Sequence, residues 1–198
     1  AALAKTKGQK AMVKEVQKNE VLQQPPNPFD LTSLQVEAYK CFRISPKSLL
    51  DIAQNLYISG LISYPRTSSQ QLPPAIGYKK ILQDLSGNSN YTKLCSELLG
   101  RGSLNPNNGS KTDPAHPAIY PTGVAPSGLS EQENKVYDLI VKRFMAVFAE
   151  PAVRLSVKVS IDVNKEIFIA SGITTAKPGW HRFYEPYAKL KEEELPGV

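Results

Sequence analysis

"SPKSLLDIAQNLYISGLISYPRTSS", residues 45–69, is the stretch whose reading decides the fold. Ser45 predicts a helix N-cap, and Pro46 takes the first helical position, where its missing N–H has no helical partner to lose. Leu49, Ile52, Ala53, Leu56 and Tyr57 recur at three- and four-residue spacing and predict one apolar stripe. Gly60 supplies the C-terminal cap. Leu61-Ile62-Ser63 then reads as a short strand, and Tyr64-Pro65-Arg66 follows at once. Two readings are open: an ordinary strand edge entering a loop, or a tyrosine held out for chemistry.

Upstream, Thr32 with Gln35 reads as a capping box that opens a helix over "LTSLQVEAYKCF" (31–42), with Leu34, Ala38 and Cys41 on one face. Two helices joined by a very short turn and followed by a strand predict a helix-turn-helix with the start of a wing. "QPPNPF" (24–29) breaks the backbone before them, and "AMVKEVQKNEVLQ" (11–23) reads as extended.

Downstream, "IGYKKILQDL" and "YTKLCSELLG" predict two further helices, and "RGSLNPNNGSKTDP" (101–114) a loop. Ser130 and Glu133 form a second capping box, starting a helix through Val136, Leu139, Ile140, Phe144, Val147 and Phe148. The period then changes. Val153, Leu155, Val157, Val159, Ile161 and Val163 alternate, predicting a strand with one buried face. Asn164-Lys165 predicts a hairpin turn into "EIFIAS", and "KPGWHRFY" (177–184) a turn entering another strand. The expected class is α+β: a mainly helical, winged-helix-like (CAP-like) domain, 30–149, inserted into a small antiparallel β domain made from 1–29 and 150–198. The alternative is two consecutive domains with an N-terminal arm.

The chain has 198 residues, 41% hydrophobic and 21% charged, which excludes a disordered polymer. No apolar run reaches the length of a membrane span and no signal peptide opens the chain, so a cytoplasmic protein without a membrane partner is expected. Cys41 and Cys95 lack metal-ligand spacing and read as buried thiols in a reducing compartment. A net charge of +6 permits a polyanionic partner without requiring one. The opening "AALAKTKGQK" carries no initiator Met, and a piece of a longer protein is expected.

Chemistry is concentrated in two places. A phenol titrates at about pH 10, so it attacks only when a cation or donor stabilises the phenoxide. Arg66, two residues beyond Tyr64 on an extended backbone, points to the same face, and its planar fork suits a phosphodiester. A Tyr–Arg pair fits phosphoryl transfer through a phosphotyrosyl intermediate. With nine tyrosines in the chain, spacing alone equally allows a packing role. In "KTDPAHPAIYPTG" (111–123), His116 lies between Pro114 and Pro117 and is suited to donating to a phosphate or moving a proton. A locally satisfied histidine fits the same residues. His181, beside Trp180, reads as structural, with Trp180 a core anchor between strands. Lys14, Lys18, Lys79, Lys80, Lys142 and Arg143 suit either a phosphate backbone or solvent. There is no Gly-rich phosphate loop and no hydrolase triad, and the acids, Asp51 and Asp113 among them, are scattered, so no Mg²⁺ site is expected here.

"LTSLQ", "DIAQNLYISGLISYPRTSS", "AHPAIYPTG" and "VYDLIVKRF" occur in the order found in type IA DNA topoisomerases, and the chain resembles that family, the archaeal enzymes and the topoisomerase half of reverse gyrase most of all. The resemblance implies that Tyr64 is the nucleophile forming a 5′-phosphotyrosyl bond with single-stranded DNA. By the same likeness Arg66 lies beside the scissile phosphate and His116 binds it or assists the transfer. Thr32, Ser33 and Gln35 match a segment near the strand-binding groove, and Thr67 and Lys111 are expected to contact DNA with them. The sequence departs from the family pattern where Ser68 replaces an acid after the arginine and Tyr120 replaces an arginine. Mg²⁺ would belong to a Toprim domain, and that domain and the base of the toroid are expected to be partners elsewhere in the polypeptide. Outside this reading stands a non-catalytic winged-helix module whose tyrosine only packs or stacks.

Overall fold

Short-range signals build most of the helices. In the computed structural model, which describes residues 2–196, α1 (Ala2–Thr6) and β1 (Ala11–Gln23) precede α2 (Leu31–Phe42) and α3 (Pro46–Ile58). α4 (Tyr78–Leu85), α5 (Thr92–Leu99) and α6 (Glu131–Ala146) follow, then β2 (Ala152–Val163) and β3 (Glu166–Lys177). The chain divides into two compact units: Ala1–Gln23, Pro151–Gly179 and Lys189–Val198 form one, Gln24–Glu150 with Trp180–Ala188 the other.

The second unit is helical. Ser45 caps α3 through the amide of Ser48, with Pro46 in the first turn. Ser130 and Glu133 form the expected capping box on α6. α2 begins differently from the Thr32–Gln35 expectation: Asp30 is the N-cap and Ser33 completes the box. The Leu31 amide is bonded to the Thr67 carbonyl at 3.0 Å, which draws the helix start back to residue 31. Leu34 and Ala38 of α2 and Leu49, Ile52, Ala53 and Leu56 of α3 are buried, whereas Tyr57, expected in the same stripe, is exposed. α6 is buried through eight residues, Val136 to Ala146, because it packs on α3 and on α5. Each such aliphatic side chain contributes about 1.5–3 kcal/mol of burial. Asp138 on α6 accepts from Tyr91 Oη at 2.8 Å and Tyr187 Oη at 2.6 Å. Burial first, and then this carboxylate, push both phenols far above their usual titration range.

Cys95 is buried against Met145, which pushes its thiol up to about 11, and Cys41 is half-buried; neither is in a disulfide. "KPGWHRFY" is no strand entry: Gly179–Phe183 is one 3-10 turn, burying Trp180, His181 and Phe183. Trp180 therefore anchors helical packing rather than a site between strands, and its amide bonds the Glu150 carbonyl at 2.9 Å.

The other unit is a three-stranded antiparallel sheet in the order β1-β2-β3. Asn164 and Lys165 turn the β2–β3 hairpin with φ of 52° and 68°, the pair of left-handed residues that matches strand twist. The registers Val16↔Val159 and Val159↔Ala170 put apolar residues on one face. That face is less buried than the alternation suggests: of its six β2 residues only Val159 is fully buried, and β1 beside it is exposed along its whole length. Gly172 has no room for a Cβ against the Glu193 carbonyl. Arg154, 4% exposed, donates to Glu192, Thr175 and the Lys191 carbonyl.

Candidate active site

The C-terminus of α3 sets the geometry. Gly60, with φ of 72°, donates to the Tyr57 carbonyl at 2.8 Å, and Leu61 donates to the Leu56 carbonyl at 2.9 Å. This pair of bonds reverses the chain and sends Leu61 and Ile62 into the core. No strand runs through Leu61–Ser63. Ile62 makes a single bridge to Pro121, and individual bonds do the rest. Thr122 donates its amide to the Leu61 carbonyl at 3.0 Å and its hydroxyl to the Gly60 carbonyl at 2.6 Å. The Ser63 amide bonds the Tyr120 carbonyl at 2.9 Å, and the Ser63 hydroxyl accepts from the Tyr120 amide at 3.0 Å and donates to the Ala118 carbonyl at 3.3 Å.

Two segments distant in sequence, 60–67 and 116–122, are thereby held side by side. Their juxtaposition brings the Tyr64 and His116 rings to 4.6 Å between centroids, tilted at 47°. The Tyr57 ring meets Tyr64 edge-on at 5.3 Å. Tyr64 and His116 are half-buried, Pro65 is buried, and Arg66 is exposed, making no hydrogen bond or ion pair among the described residues. A phenol, an imidazole and an uncommitted guanidinium within one short segment pair can receive a phosphate: one group to bond the phosphorus and two to carry its charge.

The residues expected to contact DNA separate into two groups. Thr67 is 3% exposed, and its hydroxyl donates to the His116 carbonyl at 3.2 Å and accepts from the Ser69 amide at 3.0 Å. Ser33 is spent on the cap of α2, and Gln35 donates to the Pro46 carbonyl at 3.3 Å. Thr32 and Lys111 are exposed. Lys111 Nζ lies 2.9 Å from Asp30 Oδ2, which Gln70 also approaches at 3.3 Å. Burial would raise the Asp30 carboxyl, but bonds from Ser33 and Lys111 and the ammonium's charge leave it below the usual carboxylate range.

Sequence reasoning passed over Asp113 as a scattered acid. Its Oδ1 accepts from the amides of Ala115 at 2.9 Å and His116 at 3.0 Å, and Oδ2 from the amide and hydroxyl of Ser68 at 3.3 and 3.2 Å. Asp-Pro is a turn-opening dipeptide, so the local half of this arrangement was readable. Among the described residues no group of three or more His, Cys, Asp or Glu could hold a metal ion. No helix among them is long and apolar enough to cross a membrane.

Comparisons with known proteins agree along the length of the chain. The family model described as DNA topoisomerase matches residues 1–198. DNA topoisomerase 1 of Methanothermobacter thermautotrophicus is 49% identical over 196 residues, 99% of this chain and 27% of that protein. DNA topoisomerase 1 of Pyrococcus horikoshii is 52% identical over 174 residues, 87% of this chain and 25% of that one. DNA topoisomerase 3-alpha of Mus musculus is 32% identical over 186 residues, 94% of this chain and 18% of that one. The fold resembles full-length topoisomerase I from Thermotoga maritima, with a TM-score of 0.71 at 21% identity, over 98% of this chain and 32% of that one. The chain spans about a quarter of the length of the archaeal relatives.

Proposed function

We propose a function from the premise that this chain belongs to the DNA topoisomerase family, in its type IA branch. It carries the strand-cutting tyrosine of an enzyme that breaks and rejoins one DNA strand. The relatives' names, topoisomerase 1 and 3, favour such an enzyme over the topoisomerase half of a reverse gyrase. The observation that carries the reading is the approach of the Tyr64 and His116 rings to 4.6 Å.

In the proposed reaction Tyr64 Oη attacks a phosphorus of single-stranded DNA. The Oη–P bond forms, the P–O3′ bond breaks, and the phenolic proton ends on the departing 3′ oxygen. The 3′-hydroxyl reverses the step by attacking the phosphotyrosyl ester, so bond energy is conserved and relaxation needs no ATP. Arg66, exposed and without an ion pair among the described residues, offers its fork to the non-bridging oxygens as charge develops there. His116 donates to the same phosphate or carries the proton. Exposed Thr32 and Lys111 meet the flanking strand, while Ser33, Gln35 and Thr67 shape the groove that holds it. Among the described residues no group of three or more His, Cys, Asp or Glu fits the Mg²⁺ that the resemblance implies, and the reaction is written without it. We assign it to a Toprim domain in a longer polypeptide, in which residues 30–149, the bulk of the helical unit, serve as a winged-helix-like gate inserted into a hinge domain.

Tyr64 also packs on Tyr57 and His116, and that contact is the basis of the second reading, a DNA-binding module without chemistry. Trapping separates the two. In the full-length polypeptide, denaturant added during turnover should capture DNA covalently bound to the wild type and none on Tyr64→Phe. Adducts that persist in Tyr64→Phe overturn the assignment.

A further inference from the structure

Ser68 and Asp113 belong to neither the proposed nucleophile nor its phosphate-binding partners, yet they join the two segments that carry them. Asp113 Oδ1 holds the amides of Ala115 and His116, and Oδ2 faces both the amide and the hydroxyl of Ser68. The main chain of His116 is therefore tied at its nitrogen by Asp113 and at its carbonyl by Thr67. Both ties end on neighbours, Thr67 and Ser68, in the segment that begins with Tyr64. We propose that Asp113 is a positioning residue: its carboxylate clamps the His116 loop to the Tyr64 segment and so fixes the imidazole against the phenol. The inference rests on the roles given above to Tyr64 and His116.

The donor count explains why a carboxylate stands here. The arrangement offers three backbone N–H groups and the Ser68 hydroxyl, whose single proton the Thr112 carbonyl at 3.1 Å also reaches, and only an ionised carboxylate presents two oxygens that accept from all three amides. An amide keeps one such oxygen, and a methyl keeps none. Pro114 and Pro117 stiffen the loop but supply no N–H to anchor it. Without the carboxylate, the Thr67 hydroxyl is the remaining side-chain tie on the His116 backbone among the described residues. A ring free to drift by on the order of 1 Å in such a site costs about 100-fold in rate. The backbone amides of Ala115, His116 and Ser68, in that order, hold the Asp113 carboxyl down to about 2, so the clamp stays charged at every working pH and is a fixture rather than a switch.

The test is a double-mutant cycle on single-turnover cleavage of an end-labelled single-stranded oligonucleotide by the full-length polypeptide. Asp113→Ala is expected to slow cleavage about 10- to 100-fold while the oligonucleotide dissociation constant stays where it was. Asp113→Asn, which keeps the oxygen facing Ala115 and His116, should fall between Ala and wild type. In a His116→Ala background, Asp113→Ala should add nothing, because a positioning residue has no further effect once its target is gone. Equal slowing with and without the His116 imidazole, or no slowing by Asp113→Ala at all, overturns the clamp. If Asp113→Ala does not fold, as its thermal transition would reveal, the same cycle is run with Asp113→Asn and with Ser68→Ala, and the same two outcomes decide. Tyr64→Phe is run alongside: adducts in that variant defeat the reading of the site, whereas a failed cycle with no adducts in Tyr64→Phe defeats only the clamp.

Discussion

Asp113 and Asp30 are the two acids whose surroundings depart most usefully from those of a surface carboxylate. At Asp113 the amides of Ala115, His116 and Ser68 favour the charged form and bring its titration down to about 2. An unfolded aspartate titrates at about 3.9, so the stabilisation from this carboxylate is complete above that pH and is lost as pH falls through the folded value. We expect the Asp113 carboxyl carbon to titrate by NMR near pH 2, with the Ala115 and His116 amide protons shifting at the same midpoint. A midpoint near that of an unfolded aspartate would show the hydrogen bonds to be absent in solution. Tyr64 and His116 were legible as candidates because each lies in a short, dense motif. Asp113 was not, since its cross-link to Ser68 joins residues far apart in sequence. The burial of Thr67 was hidden for the same reason: besides the neighbouring Ser69 amide, its partners are Leu31 and His116, both far from it in sequence.

At the scale of elements, α3 shows how a local signal positions a distant function. Gly60 adopts φ of 72°, and a Cβ added there would meet nothing within 4 Å, so its demand is conformational and not one of space. Gly60→Ala should therefore destabilise the chain by about 1 kcal/mol, the cost of a left-handed non-glycine residue, measured by urea unfolding. Unchanged stability would mean that the turn after α3 relaxes freely. The caps at Ser45 and Ser130 follow rules that act within four residues, and they were readable. At α2 two capping patterns compete within a few residues, and the Leu31–Thr67 bond decides between them. Leu61–Ser63 has strand-like residues, but the facing segment contains Pro117 and Pro121, which have no N–H to extend a ladder. One bridge and a set of side-chain bonds result.

For the molecule as a whole, a charge of +6 over 198 residues allows contact with only a few phosphates. Residues 1–198 should bind single-stranded oligonucleotides weakly, without sequence preference and with strong salt dependence, in a fluorescence titration at two ionic strengths. The same protein should leave supercoiled plasmid unrelaxed with Mg²⁺ present. One arginine and one histidine are thin support for phosphoryl transfer, and each oriented electrostatic group that is lost costs about 100- to 1,000-fold. Robust relaxation by these residues would show the chemistry to be self-contained. The sequence by itself determined the helices α2 to α6, the three strands of the sheet, the hairpin at Asn164-Lys165 and most of the caps, because those depend on spacing within a few residues and on backbone preferences. Only the tertiary structure decided that Tyr57 stays in water, that the 177–184 segment becomes a buried turn, and that Asp113, Ser68 and Thr67 lock the His116 loop beside Tyr64. Those outcomes are set by which distant segments pack together and satisfy one another's donors, a competition that no short window of sequence contains.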